Sequence, residues 1–279
     1  MREVTITAQG RRIRITGTKS EYLDGLQGWN ADTAPVAQAT KDLARGALCL
    51  DVGANIGATC LTLAVQRPDV RIIAFEPVPE NADCLRRNIQ TNSITNIDVV
   101  QAAASDRRGV LHITNNGPWS TVTPGAPIQC RAIPLDDYAE SDVAFVKIDT
   151  EGHEPFVCAG ARSLFIRHQP IVLMEFNSWC LLVRGYNPIE FSKAIWESSH
   201  VIGLFHLDKL LPPPKEAIGI AYENIAHHQG VTDVLLRPCL KLPELDAMIY
   251  SPEIVAIRKG CAKFRNEARR RWWFTRKEH

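Results

Sequence analysis

Residues 48–77 constrain the fold more than any other segment, because they read LCLDVGANIG, then an apolar run, then RIIAFEP. An apolar strand ending in Asp51 leads into a glycine turn, a helix follows, and a second strand ends in Glu76. Gly53 can adopt backbone angles that a side chain would forbid, and Gly57 lets the helix pack close to the sheet. This strand–turn–helix–strand unit predicts a site for a nucleoside-bearing cofactor.

The two acids of this unit indicate which cofactor it holds. A carboxylate at Asp51 would repel the pyrophosphate of a dinucleotide and attract the cationic amino-acid moiety of S-adenosylmethionine. Glu76 is placed to accept both hydroxyls of a ribose. Two alternatives stay open. One is a nicotinamide cofactor, since Gly53-x-Asn55-x-x-Ala58 is one residue from the dinucleotide pattern, and the other is a glycine turn without a ligand.

Strands and helices alternate through residues 47–240, which predicts an α/β fold with a mostly parallel, seven-stranded sheet flanked by helices. The predicted strands are 47–52, 71–75, 97–102, 143–148, 171–176, 201–205 and 233–236. The predicted helices are 57–66, 79–91, 155–165 and 189–197. We expect the last two strands to pair antiparallel at one edge.

Two extensions flank this predicted domain. Residues 1–46 are expected to form a β-hairpin over 3–16 and a short helix over 33–45. Residues 241–279 form the second extension, in which apolar side chains recur at helical spacing: Ile254, Ile257, Cys261, Phe264, Ala268 and Trp272. We expect this amphipathic helix to pack on the domain or on a second subunit. A peripheral contact with an anionic membrane is the alternative.

Composition and charge exclude several classes of protein. The 279 residues, of which 45% are hydrophobic, suffice for one large domain. No apolar run of about 18 residues exists, the first residues lack a secretory apolar core, and the eight scattered cysteines contain no C-x-x-C pair. We therefore expect a cytoplasmic protein with reduced thiols. Residues 258–277 carry a charge of +8 and leave −7 for the rest, so the body is a poor surface for nucleic acid.

Ligands of parallel sheets bind at the carboxyl ends of the strands, so the residues just after each strand are the candidate site. These residues are 51–57, 76–77, 103–106, 149–154 and 175–177. Most acids at the strand exits fall in this set, and we expect them to lie close together.

Five sequence blocks at these exits occur in a fixed order: DVGANIG, AFEPVP with Asn88 downstream, AASD, VKIDTEGHE and VLMEFN. With these blocks, residues 48–177 resemble the FkbM family of S-adenosylmethionine-dependent methyltransferases. The resemblance implies the class I methyltransferase (Rossmann-like) fold and methyl transfer to hydroxyls of sugars, glycans or polyketides. Thr150 departs from the family pattern, which often has valine there.

The resemblance also implies which residues hold the cofactor. Asp51, Gly53, Asn55 and Gly57 would hold the methionine end. Glu76, followed by Pro77, would bind the ribose. Ala103 and Asp106 would flank the adenine.

Methyl transfer to an alcohol needs alignment of the reactants and removal of a proton. His153 is the first candidate base, because a helix N-terminus would keep its imidazole neutral; capping or packing is the alternative. Glu151 is a second candidate or an acceptor-orienting group, and Asp149 is expected to organise the site. Glu175 is the alternative base, or it holds a neighbouring backbone amide. Glu154 is expected to favour the first helical turn.

The remaining candidates are weaker. We predict a site without metal, although Asp149, Glu175 and Asn177 offer oxygen ligands that Mg²⁺ accepts. His227 and His228 are interpreted as loop residues. Trp119, Trp179 and Tyr186 are candidates to stack on a sugar or are core residues.

The sequence therefore predicts an S-adenosylmethionine-dependent O-methyltransferase that acts on a hydroxyl of a sugar, glycan or secondary metabolite. No Asn-Pro-Pro-Tyr motif follows the fourth strand, which argues against methylation of a base amino group. An NAD(P)-dependent oxidoreductase and an inactive, cofactor-binding assembly partner are the alternatives.

Overall fold

The computed structural model describes residues 1–27, 29–206, 208–227 and 230–239. Its strands are β1 (Arg2–Ala8), β2 (Arg11–Gly17), β3 (Leu48–Val52), β4 (Arg71–Phe75), β5 (Ile97–Val100), β6 (Ala103–Ala104), β7 (Gly109–Ile113), β8 (Ile128–Ile133), β9 (Val143–Ile148), β10 (Ile171–Asn177), β11 (Ser199–His206), β12 (Lys209–Leu211) and β13 (Val231–Pro238). Its α-helices are α1 (Ser20–Leu26), α2 (Pro35–Thr40), α3 (Ala58–Gln66), α4 (Pro79–Thr91), α5 (Glu154–Ala159), α6 (Arg162–His168), α7 (Ser178–Arg184), α8 (Pro188–Ser198) and α9 (Gly219–His227). The predicted C-terminal extension and its amphipathic helix lie outside the described residues.

Within the described residues, the central sheet has eight strands in the order β12-β11-β13-β10-β9-β3-β4-β5. Strands β10, β9, β3, β4 and β5 run parallel, whereas β13 is antiparallel to both β10 and β11. The predicted α/β class and the antiparallel pairing of the last two long strands are confirmed. The prediction of seven strands is wrong by one, because the chain turns back after β11 and β12 pairs with it.

Each face of the sheet is covered by its own cluster of buried side chains. Cys49 and Leu50 are neighbours in β3, and they point into different clusters because side chains alternate along a strand. Helix α3 is buried along almost its whole length, since it lies between the sheet and the β1–β2 hairpin. The N-terminal segment therefore shares its core with the sheet.

Asn88 of α4 and Asn92, the C-cap residue of the same helix, hold the hairpin in place. Asn88 accepts a hydrogen bond from the Thr16 amide at 2.9 Å and donates to the Thr16 carbonyl at 3.0 Å. One turn later, Asn92 accepts from the Arg14 amide at 2.8 Å and donates to its carbonyl at 2.7 Å. The two carboxamides thus pair with the backbone of β2 as a neighbouring strand would.

The structure corrects several predicted boundaries. The predicted helix 155–165 is two helices that are interrupted at Gly160, where a Cβ would lie 1.9 Å from the Ser105 carbonyl oxygen. The predicted strand 97–102 stops at Val100, and β6 joins β7 and β8 in a separate sheet. Short helices α1, α7 and α9 were not predicted, and His227 ends α9 rather than lying in a loop.

Two further findings concern the described residues only. No helix there is both long and apolar enough to cross a bilayer. The seven cysteines there are free thiols, and six of them are buried.

Candidate active site

A cavity of about 1050 Å³ opens at the carboxyl ends of the central strands. Its two ends differ in origin, and we name them by the nearest strand. The β4 half is lined by Gly53, Asn55, Glu76, Val78 and Ala103. The β13 half is lined by Trp29, Glu175, Trp179, His206 and Asp233.

The glycine turn after β3 is fixed between three strands. Gly53 has φ of 86°, and a Cβ there would lie 1.8 Å from the Asp149 carbonyl oxygen. The amides of Gly53 and Ala54 both donate to the Phe75 carbonyl, at 3.0 and 2.9 Å. The predicted need for glycine at this position therefore has a steric cause as well as a conformational one.

Glu76 presents a buried carboxylate to the β4 half of the cavity. It accepts hydrogen bonds from the Asn55 amide at 2.8 Å, the Val78 amide at 2.9 Å and Asn81 Nδ2 at 3.3 Å. Burial raises the pKa of Glu76 to about 7, although these three donors oppose the shift. Beside it, Asn55 Oδ1 lines the cavity and is buried without a hydrogen-bond partner among the described residues.

A lysine that the sequence analysis overlooked lies between two of the predicted acids. Lys147 Nζ is 3.0 Å from Asp149 Oδ2 and 3.8 Å from Asp51 Oδ1. Burial raises the pKa of Asp51, and Lys147 opposes that shift. Burial also disfavours the ammonium of Lys147, but Asp149 and Asp51 outweigh it and hold the pKa of Lys147 above its usual value. A lysine inside the apolar run VAFVKI, two residues before an acid, was the available signal.

His153 is buried, and both of its ring nitrogens are engaged. Arg184 Nη2 donates to His153 Nδ1 at 2.8 Å, and Ser105 Oγ lies 3.1 Å from Nε2. A guanidinium only donates, so Nδ1 is the acceptor and a neutral ring carries its proton on Nε2. Burial, and then Arg184, hold the pKa of His153 well below its ordinary value. Burial and Arg184 thus favour the neutral imidazole.

Arg184 also ties the loop before β8 to this histidine. Its Nη1 donates to the Val122 carbonyl, and its guanidinium lies 5.9 Å from the centre of the Phe156 ring. Phe156 in turn stacks on His153 with 4.5 Å between ring centres. In this arrangement the basic lone pair of His153 faces Arg184 and not the cavity.

Glu175 combines a place in the cavity lining with a carboxyl oxygen, the buried Oε2 atom, that has no hydrogen-bond partner among the described residues. Burial, followed by the charges of Asp149 and Glu151, raises the pKa of Glu175 well above its ordinary value. A carboxyl with a raised pKa in a cleft is a candidate general base.

Two other acids hold loops. Glu154 Oε1 accepts from the Thr150 amide and hydroxyl, both at 2.9 Å, and from the Gly152 amide at 3.2 Å. Glu151 has φ of 54°, and its Oε2 lies 3.0 Å from the Cys180 thiol. The geometry therefore gives Glu154 a structural role at the start of α5.

The cavity brings together most of the residues predicted from the sequence: Gly53, Asn55, Glu76, Pro77, Ala103, Asp149, Glu151, His153 and Glu175. Three predicted cofactor residues do not line it: Asp51, Gly57 and Asp106. Gly57 begins α3 against Leu85, and Asp106 accepts from the Ser105 hydroxyl at 3.1 Å. No cluster of three or more metal-ligating side chains is found among the described residues.

The aromatic candidates divide between cavity and core. Trp119 and Trp179 line the cavity, whereas Tyr186 is buried edge-on against Phe156. Trp29 lines the cavity too, and the sequence analysis did not single it out because it lies between two short helices of the N-terminal segment.

Short stretches of the chain match known methyltransferases. The sequence is 38% identical over 73 residues to the 31-O-demethyl-FK506 methyltransferase FkbM of Streptomyces tacrolimicus, which covers 26% of this chain and 28% of that protein. It is 36% identical over 66 residues to the methyltransferase sdnD of Sordaria araneosa, which covers 23% and 26%. The chain thus spans about a quarter of the length of these relatives.

A solved structure, the methyltransferase FkbM from Methylobacillus flagellatus KT, matches 52% of this chain and 37% of that chain at 23% identity and a TM-score of 0.41. The family model of the methyltransferase FkbM domain matches residues 51–202, which is more than half of the chain and includes the strand exits β3, β4, β9 and β10. On that match, the chain belongs to the FkbM methyltransferase family.

Proposed function

We propose that this protein is an S-adenosylmethionine-dependent methyltransferase that methylates a hydroxyl group of a sugar, glycan or secondary metabolite. The observation that carries the proposal is the buried Glu76 carboxylate, which two backbone amides orient into the cavity beside the Gly53 turn. A carboxylate held in this way is preorganised to accept hydrogen bonds from the two hydroxyls of a ribose.

The residues of the β4 half fit the rest of the cofactor. The Gly53 turn leaves backbone space that a Cβ would fill, and Asn55 offers a buried oxygen that lacks a partner among the described residues. Ala103 presents a small apolar side chain suited to one face of an adenine. Asp149 would face the cationic end, whereas Asp51 lies outside the cavity lining and acts through Lys147.

The charge of the cavity favours this cofactor over a nicotinamide dinucleotide. Among the described residues that line it, seven carry carboxyl groups and one, Lys147, carries a fixed positive charge. Even with Glu76 and Glu175 protonated, the other five carboxyl groups outnumber that one cation, so a pyrophosphate would meet net repulsion and a sulfonium with an ammonium group would meet attraction. The family membership supports the same choice.

For the chemistry, S-adenosylmethionine when bound supplies an activated methyl group. The chain must align the acceptor and take the proton of its hydroxyl. We propose that the carboxyl group of Glu175 accepts this proton, because the residue lines the cavity and its Oε2 atom has no hydrogen-bond partner within the described residues. His153 could serve only if Arg184 left its Nδ1. The oxygen acceptor is supported by the relative named as a 31-O-demethyl-FK506 methyltransferase.

Calorimetry with S-adenosylhomocysteine and with NAD tests the cofactor. Micromolar binding of S-adenosylhomocysteine, lost on Glu76→Gln and kept on Glu80→Gln, supports the proposal; Glu80 is exposed at the start of α4. Binding of NAD alone would contradict it. Normal S-adenosylhomocysteine affinity without turnover on any acceptor would favour the assembly-partner alternative.

Two variants separate the candidate bases. Glu175→Gln should lower kcat by about 100-fold or more, because it removes the proton acceptor and keeps the shape. His153→Gln should lower kcat by less than about tenfold, because its imidazole is engaged elsewhere. The reverse order of effects would restore His153 as the base.

A further inference from the structure

The β13 half of the cavity has a wall built from strands that are far apart in sequence. Glu175 of β10 pairs directly with Asp233 of β13. On the other side of β10, Met174 pairs with Ile148, the last residue of β9, and Asp149 is the next residue, level with Glu175. Residues paired across strands project to the same face of the sheet. Three adjacent strands therefore place a carboxyl on one face at their cavity ends.

The N-terminal segment covers that same face. Gln27, Trp29 and Asn30, which follow α1, line the cavity. The segment is fixed from both sides: Thr33 Oγ1 donates to Asp208 Oδ2 at 3.0 Å, and Gln66 Nε2 donates to the Ala31 carbonyl at 2.7 Å. The N-terminal segment is thus held in place over the β13 half of the cavity.

The β13 half carries the carboxyl groups of Asp149, Glu175 and Asp233 together with aromatic side chains. Trp29, Trp179 and Phe205 supply the aromatic side chains. Lys147 is the sole lysine or arginine among the described lining residues, and its ammonium is already paired with Asp149. Glu175 Oε2 is buried and has no hydrogen-bond partner among the described residues. An unpartnered buried carboxyl is stabilised by a ligand that donates a hydrogen bond.

We propose that the β13 half is the acceptor site and that it takes a hydroxylated ring without negative charge, neutral or bearing an ammonium group, while it rejects anionic acceptors. Hydroxyl or ammonium hydrogens would face the carboxyls, and the apolar face of the ring would lie on tryptophan. A phosphate or carboxylate on the acceptor would face the carboxyls of Asp149 and Asp233, and Lys147, the one lysine or arginine among the described lining residues, is already paired with Asp149. The proposal rests on the proposed methyl transfer, since the acceptor is defined relative to the methyl donor.

A matched set of ligands that differ only in charge tests the proposal. The full-length protein, saturated with S-adenosylhomocysteine, is titrated with methyl glucoside, methyl glucosaminide and methyl glucuronide, and binding is followed by saturation-transfer NMR. We expect millimolar or tighter binding of the first two and at least about tenfold weaker binding of the glucuronide. Equal or tighter binding of the glucuronide, or no binding of any of the three, would overturn the inference.

Variants of residues that line the β13 half test whether the sugars bind there. Trp29→Ala should abolish glucoside binding and leave S-adenosylhomocysteine affinity within about threefold, with Trp29→Phe as a milder variant if the first does not fold. Asp233→Asn should reduce the discrimination against the glucuronide, and Asp142→Asn, at a fully exposed carboxylate, should not. Loss of S-adenosylhomocysteine binding in Trp29→Phe would assign this half to the cofactor instead. Wild-type protein that binds no S-adenosylhomocysteine would refute the proposed function itself.

Discussion

The two halves of the cavity are built by different means. In the β4 half, the backbone amides of Asn55 and Val78, which follow β3 and β4 directly, hold the carboxylate of Glu76. In the β13 half, the carboxyls of Asp149, Glu175 and Asp233 come from three separate strands, and Glu175 Oε2 has no partner among the described residues. Residues close in sequence thus position the key carboxyl of the β4 half, whereas the pairing of separate strands positions the carboxyls of the β13 half. The β4 half therefore suits a ligand that stays the same, such as a cofactor, and the β13 half suits an acceptor that can vary.

The largest effect on the β4 half is expected from Gly53→Ala. Its Cβ would overlap the Asp149 carbonyl, so we expect a loss of about 4 kcal/mol in the free energy of unfolding and more than about 100-fold in S-adenosylhomocysteine affinity. Gly46→Ala is the matched control, because Gly46 also has positive φ but its Cβ would meet nothing within 4 Å. It should cost about 1 kcal/mol and leave affinity unchanged. If Gly53→Ala and Gly46→Ala had equal effects in urea unfolding and in calorimetry, the positive φ and not the steric overlap would explain the loss.

Lys147 lies between Asp51 and Asp149, and a double-mutant cycle measures the interaction free energy of Lys147 with Asp51. Removing one partner of a buried ion pair leaves the other uncompensated, so Asp51→Asn or Lys147→Met should each cost about 3 kcal/mol of unfolding free energy. The double variant should cost less than the two single variants together. Strict additivity in urea unfolding would mean that the two groups act independently, and Asp51 would then regain a direct role at the cofactor.

The carboxyl of Glu154 makes stability depend on pH. Burial raises its pKa to about 7 from an ordinary 4.5, so the folded protein binds this proton more tightly than the unfolded chain. The stabilisation is complete below pH 4.5 and is lost as pH rises through 7. Between these values the free energy of unfolding of the wild type should fall by about 2–3 kcal/mol relative to Glu154→Gln. Parallel pH curves for the two proteins in urea titrations would contradict this assignment.

The smallest effect is expected from Arg184→Met. The change removes the cation beside His153 Nδ1, so the pKa of His153 should rise, though it should stay below its ordinary value because the ring remains buried. NMR titration of the imidazole measures the shift. S-adenosylhomocysteine affinity should change by less than about twofold, since Arg184 does not line the cavity. A large loss of affinity would mean that Arg184 shapes the cofactor half.

The residues of the β4 half could be predicted from the sequence better than those of the β13 half. The Gly53 turn and Glu76 were predictable, because contiguous residues create their geometry. Asp233 and Trp29 were not, since their place at the cavity depends on which strands pair and where the N-terminal segment folds back. The close approach of Gly160 to Ser105 was also not predictable, because Ser105 is far away in sequence, although the glycine itself was a local signal for the interruption of the predicted helix 155–165.

The contacts of Asn88 and Asn92 with β2 have a consequence for the solubility of the protein. A two-stranded sheet exposes unpaired backbone along its outer strand, which invites pairing with other chains. Asn88 and Asn92 occupy that hydrogen-bonding edge of β2. Loss of either carboxamide would leave backbone N–H and C=O groups of β2 unpaired and would weaken the attachment of the hairpin. Such variants are therefore expected to aggregate before they lose their fold.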